Sequence, residues 1–241
     1  VKPLDPDSMT RFMSTLEKSY DGLGGVGCKD LIDPRLISSD DLISELVFSI
    51  LVWESSIEHA LRAVEKMSEE LIDLNELRVC SPEELVAIMP ARYPRTLDRC
   101  QRLITILNQI FLRENQLKLA HLREMNKKDV VDYFASIDGL PPFVSSRVIL
   151  LGLGWHAFPI DDWLAKQLSK HDITDASLNI TEQTHRMERL VRANDALQFY
   201  TLIEHWASDQ RAPKASSSTR KKSATASTSK SETKSATKDA S

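Results

Sequence analysis

The residues of this chain best placed to do chemistry lie in Gly139-Leu-Pro-Pro-Phe-Val-Ser-Ser-Arg-Val-Ile-Leu-Leu-Gly-Leu-Gly-Trp155 and in Phe158-Pro-Ile-Asp161-Asp-Trp-Leu164 just after it. Together they join a tight turn, an apolar helix, a Gly-ended cap and an acid-led helix. An aspartate after a turn is a preferred helix cap, so Asp161 or Asp162 is expected to cap a helix beginning near Trp163. Other candidates carry less. His156, His185 and His205 are not grouped at ligand spacing, which favours solvated or capping histidines over a metal site. Gly22-Leu-Gly-Gly-Val-Gly27 is as glycine-rich as a phosphate loop, but no strand precedes it and no capped helix clearly follows, so a flexible loop is predicted. Arg92, Arg95, Arg99 and Arg102 form one basic helical surface, usable for phosphates and equally readable as a solvated face. Trp53, Trp155, Trp163 and Trp206 fall within or beside apolar helical runs and are expected in the core.

The elements that position these residues are predicted to be nearly all helical over residues 1 to 210. Apolar side chains recur there at three- and four-residue spacing, with few alternating β-branched runs. Ser81-Pro-Glu-Glu84 has the form of a capping box, with Pro82 preset for the first turn. Asn126 with Asp129 is a weaker version ahead of Val130. Ser39-Asp-Asp is expected to open a helix over Leu42 to Trp53. Pro94 precedes a long amphipathic helix with Leu97, Leu103, Ile104, Leu107 and Ile110 on its inner side. Thr181 is expected to open the last helices, ending at Phe199-Tyr-Thr-Leu-Ile-Glu-His-Trp206. No internal repeat at a solenoid period is evident.

The chain has 241 residues, enough for one large domain or two interlocked ones with a hydrophobic core. Cys28, Cys80 and Cys100 are odd in number and far apart, so neither a disulfide framework nor a close-spaced zinc motif is supported, and a reducing, cytoplasmic setting is expected. No apolar run reaches the roughly 18 residues of a membrane span, and no secretory signal pattern opens the sequence, so no membrane association is expected. Charge is unevenly spread. Residues 211 to 241 hold eight Lys/Arg and two Asp/Glu, a net of +6; subtracting from totals of 31 basic and 35 acidic residues leaves 23 and 33, a net of −10, for residues 1 to 210. A domain that grips duplex phosphates usually presents a basic face, so the acidic part is not expected to hold DNA tightly by itself. From Ala215 onward the sequence is Ser, Thr, Ala and Lys without large apolar residues. A disordered tail over 211–241 is predicted, either solubilising or a tether to nucleic acid.

The hairpin-like turn, the Gly-ended helix and the aspartate, in this order and spacing, resemble the helix-hairpin-helix DNA glycosylase superfamily, of which endonuclease III is the best-known member. Phe143 stands at the family's lysine position, and Asp161 stands 18 residues later at the position of its aspartate. The likeness extends outward. Glu45-Leu-Val-Phe-Ser-Ile-Leu-Val-Trp-Glu-Ser55 is similar to the early buried helix that ends in a wedge residue, with Ser55 at the wedge position. Pro90-Ala-Arg-Tyr93 and Leu97-Asp-Arg-Cys-Gln-Arg-Leu103 resemble the family's Gly-Leu-Tyr turn and following helix, and Phe199 to Trp206 its closing helix. The resemblance implies an all-α fold of two interlocked bundles: residues 1–36 plus 155–210 as a terminal helical domain, and 37–154 as a central bundle with the hairpin.

It also implies DNA as a partner, with hairpin residues Gly139, Leu140, Ser145 and Ser146 near a phosphate, Ser55 near the duplex and Asp161 as the catalytic carboxylate of any base release. Such a carboxylate orients water or stabilises a developing oxocarbenium ion. Extruding a base costs a few kcal/mol, offset by wedge, anchor and pocket together, and all three are altered here. Pro141 and Pro142 delete two amide hydrogens that would have faced a phosphate. Ser55 is short for a wedge. Phe143 has no amine, which removes the Schiff-base route to strand cleavage. Trp163, two residues past Asp161, either fills the pocket or stacks on a base. The family's iron–sulphur cluster needs four grouped cysteines late in the fold, and none follows Cys100. The expectation is a DNA-repair glycosylase-like protein without lyase activity and without metal or organic cofactor. The alternative is an inactive descendant serving as a nucleic-acid-binding or protein-interaction module, with a protein partner.

Overall fold

In the computed structural model, residues 6–20 and 40–211 are described, and every regular element among them is helical. The helices are α1 (Pro6–Ser19), α2 (Asp41–Val52), α3 (Ile57–Glu70), α4 (Leu74–Val79), α5 (Pro82–Ile88), α6 (Thr96–Glu114), α7 (Lys127–Ala135), α8 (Pro142–Arg147), α9 (Asp162–Lys170), α10 (Ile180–Leu190) and α11 (Ala193–Arg211). A 3-10 turn spans Ala120–Glu124, and a π-helical turn over Val148–Gly152 continues α8. The glycine-rich segment at Gly22, Ser39 and Cys28, and the tail beyond Arg211, lie outside the described residues.

Helix α2 is the axis around which the rest is built. Residues 42 to 52 are all buried, as expected of a helix apolar on every side, and α3, α6, α8 and the π turn pack on it. Its two ends are secured by charged side chains. At the start, one carboxylate oxygen of Asp40 accepts from the Leu42 and Ile43 amides at 2.9 and 3.3 Å, and the other from those of Leu119 and Ala120 at 2.6 and 2.7 Å. At its far end Arg99 of α6 donates to the carbonyls of Ile50, Leu51 and Trp53, groups that a helix terminus leaves without intrahelical partners. Arg99 is thus fully buried, which corrects its assignment to a basic surface. It falls on the stripe that also holds Leu103, Ile106 and Ile110, a spacing at which even an arginine turns inward when carbonyls await it.

The predicted boundaries fare unevenly. Ser81 and Glu84 form the reciprocal capping box of α5, and Asn126 caps α7 through the Asp129 amide. The last two helices begin earlier and end later than predicted: Asn179, not Thr181, caps α10 in a box with Glu182, and α11 runs five residues past Trp206. Leu97, expected inside, is half exposed, because the first turn of α6 is governed by Arg95 and Asp98 at the surface. The N-terminal α1 packs on α11.

Two glycines shape the approach to the acid-led helix. A Cβ on Gly152 would lie 2.7 Å from Leu42 Cδ2, so the π turn approaches α2 as closely as only a glycine permits. Gly154, at φ +71°, then ends the run in the left-handed region, and the chain crosses to Asp161.

Candidate functional site

Asp161 is the N-cap of α9, as the capping reading of the sequence has it: its Oδ1 accepts from the Leu164 amide at 2.7 Å. Its second oxygen is also engaged. Oδ2 accepts from the Glu54 backbone amide at 2.9 Å and from Arg211 Nη2 at 2.9 Å. The carboxylate is 2% exposed and ties the α2–α3 turn, the start of α9 and the end of α11 to one point. Three donors on one buried carboxylate fix its position.

The turn that supplies Glu54 is an unusual piece of backbone. Glu54, Arg92 and Arg95 all adopt positive φ (48°, 63° and 53°), a conformation costly for residues with a Cβ. Glu54 and Arg95 pair directly, and the Arg95 guanidinium sits 4.3 Å over the Trp53 ring, with Arg102 at 5.2 Å. Trp53 is therefore a half-buried platform for arginines at the core's margin. The expected basic strip is largely neutralised: Arg95 and Arg102 both pair with Asp98.

Phe143 and Asp161 line a common cavity of about 20 Å³, with Ser55, Leu164, Tyr200, Glu204 and Arg211 around it. That volume suits a single water. Phe143 is 5% exposed and forms part of the hydrophobic core. Ser55 is 2% exposed, its hydroxyl adjoining the Tyr93 phenol rather than the outer surface. Tyr93 donates to the Leu51 carbonyl at 2.6 Å, and burial pushes its phenol up to about 12, opposed by the nearby Arg99.

The hairpin is held from behind by the polar face of α6. Arg102 donates to the Gly139 carbonyl at 2.8 Å, Gln109 exchanges two bonds with Asp138, and Arg113 donates to Ser136. Gly139, at φ +78°, makes the turn. Pro141 and Pro142 carry no amide hydrogen, and the Val144 and Ser145 amides both donate to the Pro141 carbonyl. The Ser145 hydroxyl donates to the Pro142 carbonyl, while Leu140 and Ser146 are partly buried. The structure thus brings Phe143 and Ser55 to Asp161. It leaves Gly139, Leu140, Ser145 and Ser146 on the hairpin, with few amides turned outward.

Sequence reasoning missed a buried polar cluster behind this cavity. Arg147 of α8 pairs with Glu45 of α2 and with Glu204 of α11 (3.0 Å), and donates to Ser49 at 3.1 Å. Tyr200 donates to Glu204 at 3.2 Å. Burial lowers the affinity of the Arg147 guanidinium for its proton, but Glu204 and Glu45 outweigh it and drive its pKa well above the usual range. The Tyr200 phenol is also pushed far up, by burial and then by Glu204. The available signal was Glu45 and Ser49, polar residues at i and i+4 inside an otherwise apolar helix.

Arg211 was also not anticipated. It stands where the sequence turns basic, yet its guanidinium lies 4.0 Å over the Trp163 ring while it bonds Asp161. The histidines make local contacts: His156 bonds the Val191 carbonyl, His185 approaches Glu188, and His205 stacks on Tyr20. Among the described residues no group of three or more His, Cys, Asp or Glu is placed to hold a metal ion. Nor is any helix there long and apolar enough to cross a membrane.

No family model and no curated protein matches the chain. Solved structures do. A trapped endonuclease III–DNA covalent intermediate superposes with a TM-score of 0.62 at 9% identity, over 85% of this chain and 86% of that one. A 3-methyladenine DNA glycosylase from H. pylori bound to 1,N6-ethenoadenine gives 0.58 at 13% identity, covering 83% of this chain and 97% of its own. A thermostable thymine-DNA glycosylase gives 0.56 at 13% identity, over 83% and 86%.

Proposed function

Because the chain has the fold of the helix-hairpin-helix DNA glycosylases, we propose that it binds DNA and recognises damaged bases without lyase chemistry. The observation that carries this reading is the pairing of Phe143 with Asp161 across one cavity. The side chain that faces the carboxylate has no amine, so no Schiff base to an abasic sugar can form from it. Any hydrolysis of a glycosidic bond runs through Asp161, which would orient water or steady positive charge on the sugar. The division expected from sequence, residues 1–36 with 155–210 against 37–154, belongs to the same proposal; α1 packing on α11 fits it.

A second reading is a module that binds nucleic acid or protein and leaves bases intact. It is favoured by the three donors already on Asp161 and by a cavity too small for a nucleobase.

Fluorescence-anisotropy titrations of the full chain, and of a chain ending at Arg211, against an abasic-analogue duplex and its undamaged twin separate these readings. The proposal expects tighter binding to the analogue that survives truncation. Equal binding to both duplexes supports the second reading, and no binding to either overturns a role on DNA. A base-release screen adds the chemical test: release that persists unchanged in Asp161→Asn would remove Asp161 from the mechanism.

A further inference from the structure

Two carboxylates line the small cavity: Asp161 at the start of α9, and Glu204 in the second half of α11. They differ in what they can still accept. Asp161 spends Oδ1 on the Leu164 amide and Oδ2 on the Glu54 amide and Arg211. Glu204 is held by one oxygen alone. Its Oε1 accepts from Arg147 Nε at 3.0 Å and from the Tyr200 phenol at 3.2 Å, whereas Oε2 accepts from no group among the described residues.

A second polar atom is left over at the same place. Ser55 Oγ is buried, belongs to a residue that lines the cavity, and makes no hydrogen bond. The neighbouring Tyr93 phenol gives its hydrogen to the Leu51 carbonyl and has none for the serine. A buried hydroxyl and a carboxylate oxygen without partners cost free energy that the apolar walls of Val52, Phe143 and Leu164 do not return. A cavity of about 20 Å³ takes one water, and a buried water is held by at least two polar partners. Ser55 and Glu204 supply them.

We propose that Ser55 and Glu204 bind a single water here, and that Glu204, rather than Asp161, is the carboxylate that positions this water for attack on the sugar and takes its proton. The catalytic half rests on the reading that the chain releases damaged bases; the water site rests on the two unpartnered oxygens. A water that gives one hydrogen to Ser55 Oγ and the other to Glu204 Oε2 keeps its lone pairs for the anomeric carbon. Attack forms the C1′–O bond as the C1′–N bond breaks, the electron pair leaves with the base, and the proton passes to Glu204 Oε2. Asp161, with both oxygens engaged, is left the part of steadying positive charge on the sugar.

The water site is tested without reference to activity by a crystal structure of the full chain at a resolution that places waters. A solvent oxygen within hydrogen-bond distance of Ser55 Oγ and Glu204 Oε2 is expected; no such water, or one bonded to Asp161 alone, overturns the site. The catalytic half is tested on a duplex from which the wild-type chain releases a base. Glu204→Gln keeps an oxygen for Arg147 and Tyr200, but cannot take a proton. Its single-turnover release should fall by about 10²- to 10⁴-fold, the contribution of a positioned base, with duplex affinity unchanged. Ser55→Ala removes one hydrogen bond to the water, should slow release about tenfold, and carries the test should the glutamine variant fold poorly. Azide separates this role from a structural one, because an anionic nucleophile needs no base. Added azide should restore release by Glu204→Gln and Glu204→Ala and leave a 1′-azido sugar, and should not restore Asp161→Asn. Unchanged release in Glu204→Gln, or a loss that azide does not repair, overturns the role of Glu204. A wild-type chain that releases no base overturns the hydrolytic reading and the catalytic half together, while a bridging water in the crystal leaves the water site standing.

Discussion

At the scale of single residues, the site is defined by what its charges are already doing. Asp161 ties the α2–α3 turn and α9 to α11, Arg147 ties α8 and α2 to α11, and both lie at most a few percent exposed. Arg147 faces two carboxylates, so its neutral replacement leaves Glu45 and Glu204 buried against each other. Removing one member of such a cluster costs about 3–5 kcal/mol, against a total stability of roughly 5–15 kcal/mol for a domain. Arg147→Met is therefore expected to lower the urea midpoint sharply, whereas the double change Arg147→Met with Glu204→Gln recovers part of the loss. A midpoint unchanged in the single variant would show that the cluster contributes little. Asp161 was legible in the sequence because a cap after a turn is a local motif, encoded within four residues. The identity of its third partner was not, since Arg211 is 50 residues away and lies at the edge of a tract whose composition announces solvent rather than a buried ion pair.

At the scale of elements, what could be read was whatever a helix encodes in itself. The capping box of α5 and the Asn126 cap of α7 were legible because side chain and amide are three residues apart. The inward arginine on α6 was not, because its partners are carbonyls at the end of α2, and carbonyl positions have no residue code. The run from α8 through the π turn shows both cases. Its Gly-ended form was evident, but the two glycines serve different needs: Gly154 adopts φ +71° with open space around it, while Gly152 permits the approach of Leu42. A methyl at Gly152 forces the core apart, at a cost of about 1–3 kcal/mol for overpacking. Gly152→Ala should accordingly lower the thermal midpoint of the whole chain, and pairing it with Leu42→Val should restore part of it by making room. If Leu42→Val adds its own penalty without any recovery, the two positions are not in contact in the way described.

At the scale of the whole molecule, the balance of charge sets how DNA would be held. The folded part through residue 210 carries a net of −10, and the arginines Arg95 and Arg102 at the start of α6 are engaged with Asp98 and Glu54. Residues 212 to 241 carry seven Lys/Arg against two acids. On the proposed DNA-binding reading, attraction to phosphates falls to the tail, and discrimination between bases to the cavity beside Phe143 and Asp161. These two contributions separate by their response to salt. Each phosphate neutralised on duplex DNA adds about 0.9 to the slope of log K against log salt, so a tail engaging most of its seven cations contributes a slope of roughly 4 to 6. Truncation after Arg211 should flatten the salt dependence by that amount and weaken binding to every duplex alike. The ratio of affinities for damaged over undamaged duplex should stay the same, because phosphates are common to both. A truncated chain that keeps its steep salt dependence would place the phosphate contacts on the folded part, most directly at Arg92 and the hairpin. A ratio that collapses with the tail would mean that the tail, rather than the cavity, reads the lesion.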